Sequence, residues 1–156
     1  MRRAGGVLVV NDRADVARAA GAAGVHLGQE DLPASLARGV APELVVGVST
    51  HGLDQARGAL ADGADYVAIG SIYATGSKSG FQLVGPEMLR QVRPVVTAPL
   101  VAIGGITLER VPEVMAAGAD GVAVISAIGA AADPGAAAAA FLAAIRAPRA
   151  AGSRPR

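Results

Sequence analysis

ADGADYVAIG, residues 61 to 70, passes from an alanine-rich helical end through a glycine into a short apolar run, and the chain repeats this form twice more. AAGAAGVHLG (19 to 28) precedes it and AAGADGVAVIS (116 to 126) follows it. In each, the glycine can stop a helix in a left-handed cap, and the run after it reads as a strand. Three further apolar runs complete the set: GVLVV (6 to 10), LVVGVS (44 to 49) and PLVAIGG (99 to 105). They are nearly continuous and rich in Val and Ile, as strands covered on both faces are.

Between the strands the spacing predicts helices over Ala14 to Ala20, Leu32 to Arg38, Leu53 to Asp62, Gly85 to Val92, Leu108 to Ala117 and Pro134 to Ile145. Strand and helix alternate six times, which implies parallel strands joined by right-handed crossovers. Such a chain is α/β, and two architectures fit it: an open doubly wound sheet, or six units of an eight-stranded TIM barrel. Polar residues follow every strand instead of gathering at one switch point, which favours the barrel. One domain is expected over 1 to 146, with the aperiodic tail 147 to 156 disordered.

The totals narrow the function. The 156 residues are 52% hydrophobic, with 14 basic and 13 acidic side chains giving a net charge of +1. No strong field draws the chain to nucleic acid or to a membrane surface. The absence of cysteine removes disulfides, thiolate metal sites and cysteine nucleophiles together. The start, MRRAGGVLVVNDR, has too short an apolar run for a signal peptide or a membrane span. A soluble cytoplasmic protein is expected.

The strand ends carry the chemistry. The first run ends in Asn11 and Asp12, the second in Gln29, Glu30 and Asp31, the third in Ser49, Thr50 and His51, and the fourth in Tyr73, Thr75, Ser77 and Lys78. Neighbouring parallel strands lie about 4.8 Å apart, so Asp12 and Asp31 are expected side by side. Two such carboxylates share a proton or a cation, and oxygen ligands suit Mg²⁺ held with substrate phosphate. Gly104 and Gly105 let backbone N–H groups approach an anion, and the Ile125–Ser126 turn offers more at a helix start. Each group also has a plainer reading. The aspartates serve as helix N-caps, the glycine pair as a tight turn and Ser77–Lys78 as solvated loop; His26 is a bonded interior side chain and His51 orients a loop.

VND, HLGQED, GVSTH, GADYVAIGSIYATGSK, VAIGGI and AGADGVAVISAI, in that order over residues 6 to 145, closely resemble the thiamine-phosphate synthase family. The resemblance implies an Mg²⁺-dependent barrel transferase. It joins 4-amino-2-methyl-5-(diphosphooxymethyl)pyrimidine to 4-methyl-5-(2-phosphoethyl)thiazole and releases pyrophosphate. Carried over residue by residue, it implies that Asn11, Ser49 and Lys78 contact the pyrimidine diphosphate, with Ser49 and Lys78 catalytic, and that Asp12 and Asp31 hold the metal. Thr75, Gly76 and Ser77, with Gly105, Ile125 and Ser126, would hold the thiazole phosphate. A thiazole tautomerase of the same superfamily, or a non-catalytic phosphate-binding remnant, are the alternatives.

The chain departs from the family in two places. The family has eight βα units; VND belongs to its third strand, and its second carries a Gln-x-Arg-x-Lys pattern that Arg2 and Arg3 do not reproduce. Gly70–Ser71 stands where Gly-Pro often occurs. A misplaced start or partial sequence is expected, with a missing N-terminal segment or a homo-oligomeric partner supplying the rest.

Overall fold

The computed structural model of the chain describes residues 5–76 and 82–148. It forms one six-stranded sheet: β1 (Val9–Asn11), β2 (Gly24–Leu27), β3 (Val45–Thr50), β4 (Tyr66–Ile69), β5 (Leu100–Ile103) and β6 (Gly121–Ala123). Every pair is parallel, and the order across the sheet is the order along the chain. A doubly wound sheet reverses its strand order at a switch point. This sheet has no reversal, so the architecture is a partial (β/α) barrel.

The helices are α1 (Ala14–Ala19), α2 (Ala34–Val40), α3 (Leu53–Ala61), α4 (Gly85–Val92), α5 (Val111–Ala116), α6 (Ser126–Gly129) and α7 (Pro134–Arg146). Gly21, Gly63 and Gly118 take positive φ of 60°, 95° and 109°, as the repeated glycine led us to expect. Helix α2 starts two residues later than its spacing suggested because Pro33 occupies the N-cap. A 3-10 turn at Leu108–Arg110 precedes α5, and β1 begins at Val9, not Gly6.

Alternation along the strands sorts side chains to the two faces of the sheet. Val25 and Leu27, Val46 and Val48, Val67 and Ile69, and Leu100 and Ala102 are buried in one apolar cluster with the helices. The first three helices present alanine pairs three residues apart, Ala14/Ala17, Ala34/Ala37 and Ala56/Ala59, all buried. Small side chains there let helix and sheet approach closely. The opposite face carries His26, Gly47, Ser49 and Tyr66 and is only part-covered, with Val101 and Ile103 both intermediate in exposure. Continuous apolar runs therefore do not mean equal burial on both faces here.

Two of the three repeats contain Gly-Ala-Asp, and the aspartate has a structural task. Asp65 Oδ2 accepts from Val46 N–H at 2.7 Å and Asp120 Oδ2 from Leu100 N–H at 2.9 Å. Each also pairs with an arginine, Arg38 at 2.6 Å and Arg93 at 2.7 Å. The aspartate thus satisfies an N–H at the start of the neighbouring strand and ties it to the preceding helix.

Gly47 pairs in register with both His26 and Tyr66. A Cβ at Gly47 would land on the Tyr66 ring, which crosses it to reach His26. We expect Gly47→Ala to lower stability by about 1–3 kcal/mol, the usual penalty of overpacking. A shift in the urea midpoint measures this, and Tyr66→Leu in the same chain should recover part of the loss.

Candidate active site

A cavity of about 450 Å³ opens at the carboxyl ends of β3 to β6. Its walls come from four segments: Ser49–His51, Gly70 to Gly76, Ile103–Thr107 with Arg110, and Ala123–Ala127. Among the described residues that line it there is a guanidinium and no carboxylate.

The segment after β4 is laid across the end of β5. Ile72 N–H donates to Ile103 O at 2.9 Å and Tyr73 N–H to Gly104 O at 3.0 Å. Gly105 has φ +60°, and a Cβ there would strike the Ala74 carbonyl oxygen and lie 2.8 Å from that of Tyr73. The glycine pair is thus more than a tight turn: it admits the backbone that carries Thr75 and Gly76 into the cavity wall.

Ser49 is held from two sides. Its Oγ lies 2.8 Å from His26 Nε2, whose Nδ1 is 2.9 Å from the Tyr66 hydroxyl. Its carbonyl accepts from Gln29 Nε2 at 2.7 Å. His26 is accordingly a bonded interior side chain. His51 contacts Gly70 O through Nδ1 at 2.5 Å and donates its backbone N–H to Gln55 Oε1 at 2.7 Å. Because a carbonyl only accepts, Nδ1 carries the proton, and neutral His51 keeps its lone pair on Nε2.

Arginine 110 was not foreseen. Its guanidinium carbon sits 4.2 Å from the centre of the Tyr73 ring, and Nη1 donates to Gly105 O at 2.9 Å. The Tyr73 hydroxyl donates to Glu113 Oε2 at 2.6 Å. Burial, then the bond to Glu113, push the Tyr73 phenol up to about 12, against the pull of Arg110 and Arg90. The ring is therefore a neutral platform at ordinary pH. An arginine just past a strand and a glycine pair looks like a solvated charge in the sequence; only the path of the preceding loop brings it to the cavity.

Of the expected site residues, Ser49, Thr75, Gly76, Gly105, Ile125 and Ser126 line this one cavity. Ser77 and Lys78 lie outside the described residues. Asn11 and Asp12 are exposed at the end of β1 and do not line it. Asp31 lines a second cavity of about 230 Å³, between the ends of β2 and β3 and helices α2 and α3. The ends of β3 to β6 thus share one cavity, and the end of β2 borders another. Neither aspartate is a helix N-cap, since those positions belong to Arg13 and Pro33. Asp31 Oδ2 accepts from Gly28 N–H at 2.6 Å, and Asp12 has φ 68°.

Among the described residues no cluster of three or more His, Cys, Asp or Glu could hold a metal. Two carboxylates on adjacent strand ends nevertheless match the chemistry of Mg²⁺, which commonly takes one or two from protein and completes its shell with water and substrate phosphate. None of the described helices is long and apolar enough to cross a membrane.

Six βα units in sequential order, with a cavity at the strand ends that carries hydroxyls, one guanidinium and no carboxylate among the described residues, define a (β/α) barrel protein. A family model described as thiamine monophosphate synthase matches residues 1–128, and the chain belongs to that family. It is 53% identical over 139 residues to thiamine-phosphate synthase of Moorella thermoacetica, covering 88% of this chain and 66% of the relative. With the Chloroflexus aurantiacus thiamine-phosphate synthase it shares 51% over 138 residues, 88% of this chain and 64% of that one. The solved thiamine phosphate pyrophosphorylase from Pyrococcus furiosus superposes with a TM-score of 0.86 at 40% identity, over 92% of this chain and 69% of the other. The chain thus spans about two thirds of the length of these relatives.

Proposed function

We propose that the chain is a transferase of thiamine biosynthesis, coupling the pyrimidine diphosphate to the thiazole phosphate to give thiamine phosphate and pyrophosphate. The observation that carries this reading is the meeting of Ser49, Thr75, Gly76, Gly105, Ile125 and Ser126 on one cavity. Its volume suits a small phosphorylated ring, and its lining carries no carboxylate to repel the phosphate. Thr75, Gly76 and Ser77 with Gly105, Ile125 and Ser126 hold the thiazole phosphate; Asn11, Ser49 and Lys78 hold the pyrimidine diphosphate.

The bond between the pyrimidine methylene and the diphosphate oxygen breaks with its electron pair leaving on pyrophosphate. The thiazole nitrogen then donates its lone pair to the methylene cation. No strong base is required. Catalysis comes from fixing the two rings in attack geometry and placing donors where charge develops. Ser49, anchored through His26 and Tyr66, is such a preplaced donor. Asp12 and Asp31 would hold Mg²⁺, which supplies positive charge to the leaving diphosphate when bound.

The test is incubation with both substrates and Mg²⁺, followed by chromatographic assay for thiamine phosphate. Product in proportion to enzyme supports the reading. A second reading, binding of the phosphorylated thiazole without transfer, is favoured by the position of Asp31 on a separate cavity. Saturable binding of the thiazole phosphate with no product would establish it in place of the first.

A further inference from the structure

We infer that Arg110 is a phosphate clamp at the mouth of the main cavity, and that Tyr73 is the residue that positions it. The inference rests on the reading of that cavity as a site for a phosphorylated ring. Five arginines of the described chain spend their charge on carboxylates: Arg13, Arg18, Arg38, Arg90 and Arg93. Arg110 lines the cavity and forms no ion pair among the described residues. Glu113 is occupied by the Tyr73 hydroxyl, and Glu109 feels the charge of Arg110 through space without an ion pair between them among the described residues.

The guanidinium is fixed all the same. A ring face beneath it at 4.2 Å and the Gly105 carbonyl at 2.9 Å define its plane. Glu113 holds the ring in turn, so ring, guanidinium and glycine turn form one rigid corner. A guanidinium has five N–H donors, and the carbonyl takes one on Nη1. The others form a planar fork that suits two phosphate oxygens. The carbonyl that anchors Arg110 belongs to Gly105, on the same wall as Thr75 and Gly76. A phosphate seated there meets a charge that is already oriented, and little side-chain freedom is lost on binding.

The test compares binding of the thiazole phosphate and of its unphosphorylated alcohol by calorimetry, in the parent, Arg110→Gln and Arg110→Lys. Arg110 is exposed, so the fold should tolerate both changes. The parent should prefer the phosphate. Arg110→Gln should cut that preference by about 10–100-fold, as expected for loss of charge-assisted hydrogen bonds, with the alcohol's affinity unchanged. Arg110→Lys, which keeps the charge and loses the fork, should fall between. Tyr73→Leu should reproduce the Arg110→Gln effect, and the double variant should lose no more than either single one. Tyr73→Phe, which keeps the ring but not the bond to Glu113, should lose less.

If the parent bound alcohol and phosphate equally, the phosphate reading of the cavity would fall and the clamp with it. If the parent preferred the phosphate but Arg110→Gln kept the full preference, the clamp alone would be overturned. Equal loss of alcohol and phosphate in Arg110→Gln would likewise overturn it, marking Arg110 as structural.

Discussion

Gly105→Ala is expected to lower kcat/KM for thiamine phosphate formation by at least about 100-fold, because the new methyl has no place to go. It would meet the carbonyl oxygens of Ala74 and Tyr73, and a backbone cannot swing aside as a long side chain can. At φ +60° the left-handed conformation adds about 1–2 kcal/mol for a residue with a Cβ. The segment over Gly105 must therefore lift, taking Thr75, Gly76 and the anchor of Arg110 with it. A displacement of about 1 Å in a reacting geometry commonly costs about 10²-fold. Steady-state kinetics and a thermal melt together decide the matter. A lower melting temperature with kcat/KM within about threefold of the parent would mean the crossing serves folding alone. Gly39→Ala, where a Cβ meets nothing within 4 Å, should leave both unchanged.

Lys78→Ala should lower kcat by about 10²–10³, the usual effect of removing a donor that stabilises developing charge, with KM altered only a few-fold. Lys78 lies outside the described residues, and its assignment follows from the family resemblance and from its place in the chain. The segment beginning Thr75–Gly76 enters the cavity wall, and Lys78 follows two residues later. An ammonium on a flexible stem is a point charge that can follow a departing diphosphate. A contact made equally in ground and transition states would instead raise KM and leave kcat intact. That result, or full activity of the alanine variant, would remove the catalytic role. Lys78→Arg keeps the charge in a bulkier form and should retain part of the rate.

The strand–helix rhythm was legible because each unit carries its own local signals: a helix stop at Gly21, Gly63 or Gly118 and a β-branched run after it. The sequential order of the sheet was legible too, through polar residues spread over every strand end. What the sequence concealed depends on how loops run in three dimensions. Arg110 reaches the cavity because a loop crosses Gly105, which no spacing encodes. Tyr66 and Gly47 are 19 positions apart in the chain, and only their pairing across the sheet lets the Tyr66 ring lie over Gly47 and reach His26. Asp65 and Asp120 stand just before β4 and β6, and each accepts from a backbone N–H of the neighbouring strand. The pairing of Asp12 with Asp31 was argued from strand spacing alone. After β2 the chain brings Asp31 Oδ2 to Gly28 N–H at the rim of the second cavity, a contact no spacing encodes.

Because each strand touches only the strands before and after it in the chain, the molecule is assembled like a row of planks, each nailed to its neighbour. Its closest long-distance contacts skip only one crossover, which favours rapid zipping over a slow search for remote partners. It also lets β3 to β6, whose ends line the main cavity, knit together without waiting for β1, so a disturbance at that margin must pass through β2 before it reaches them.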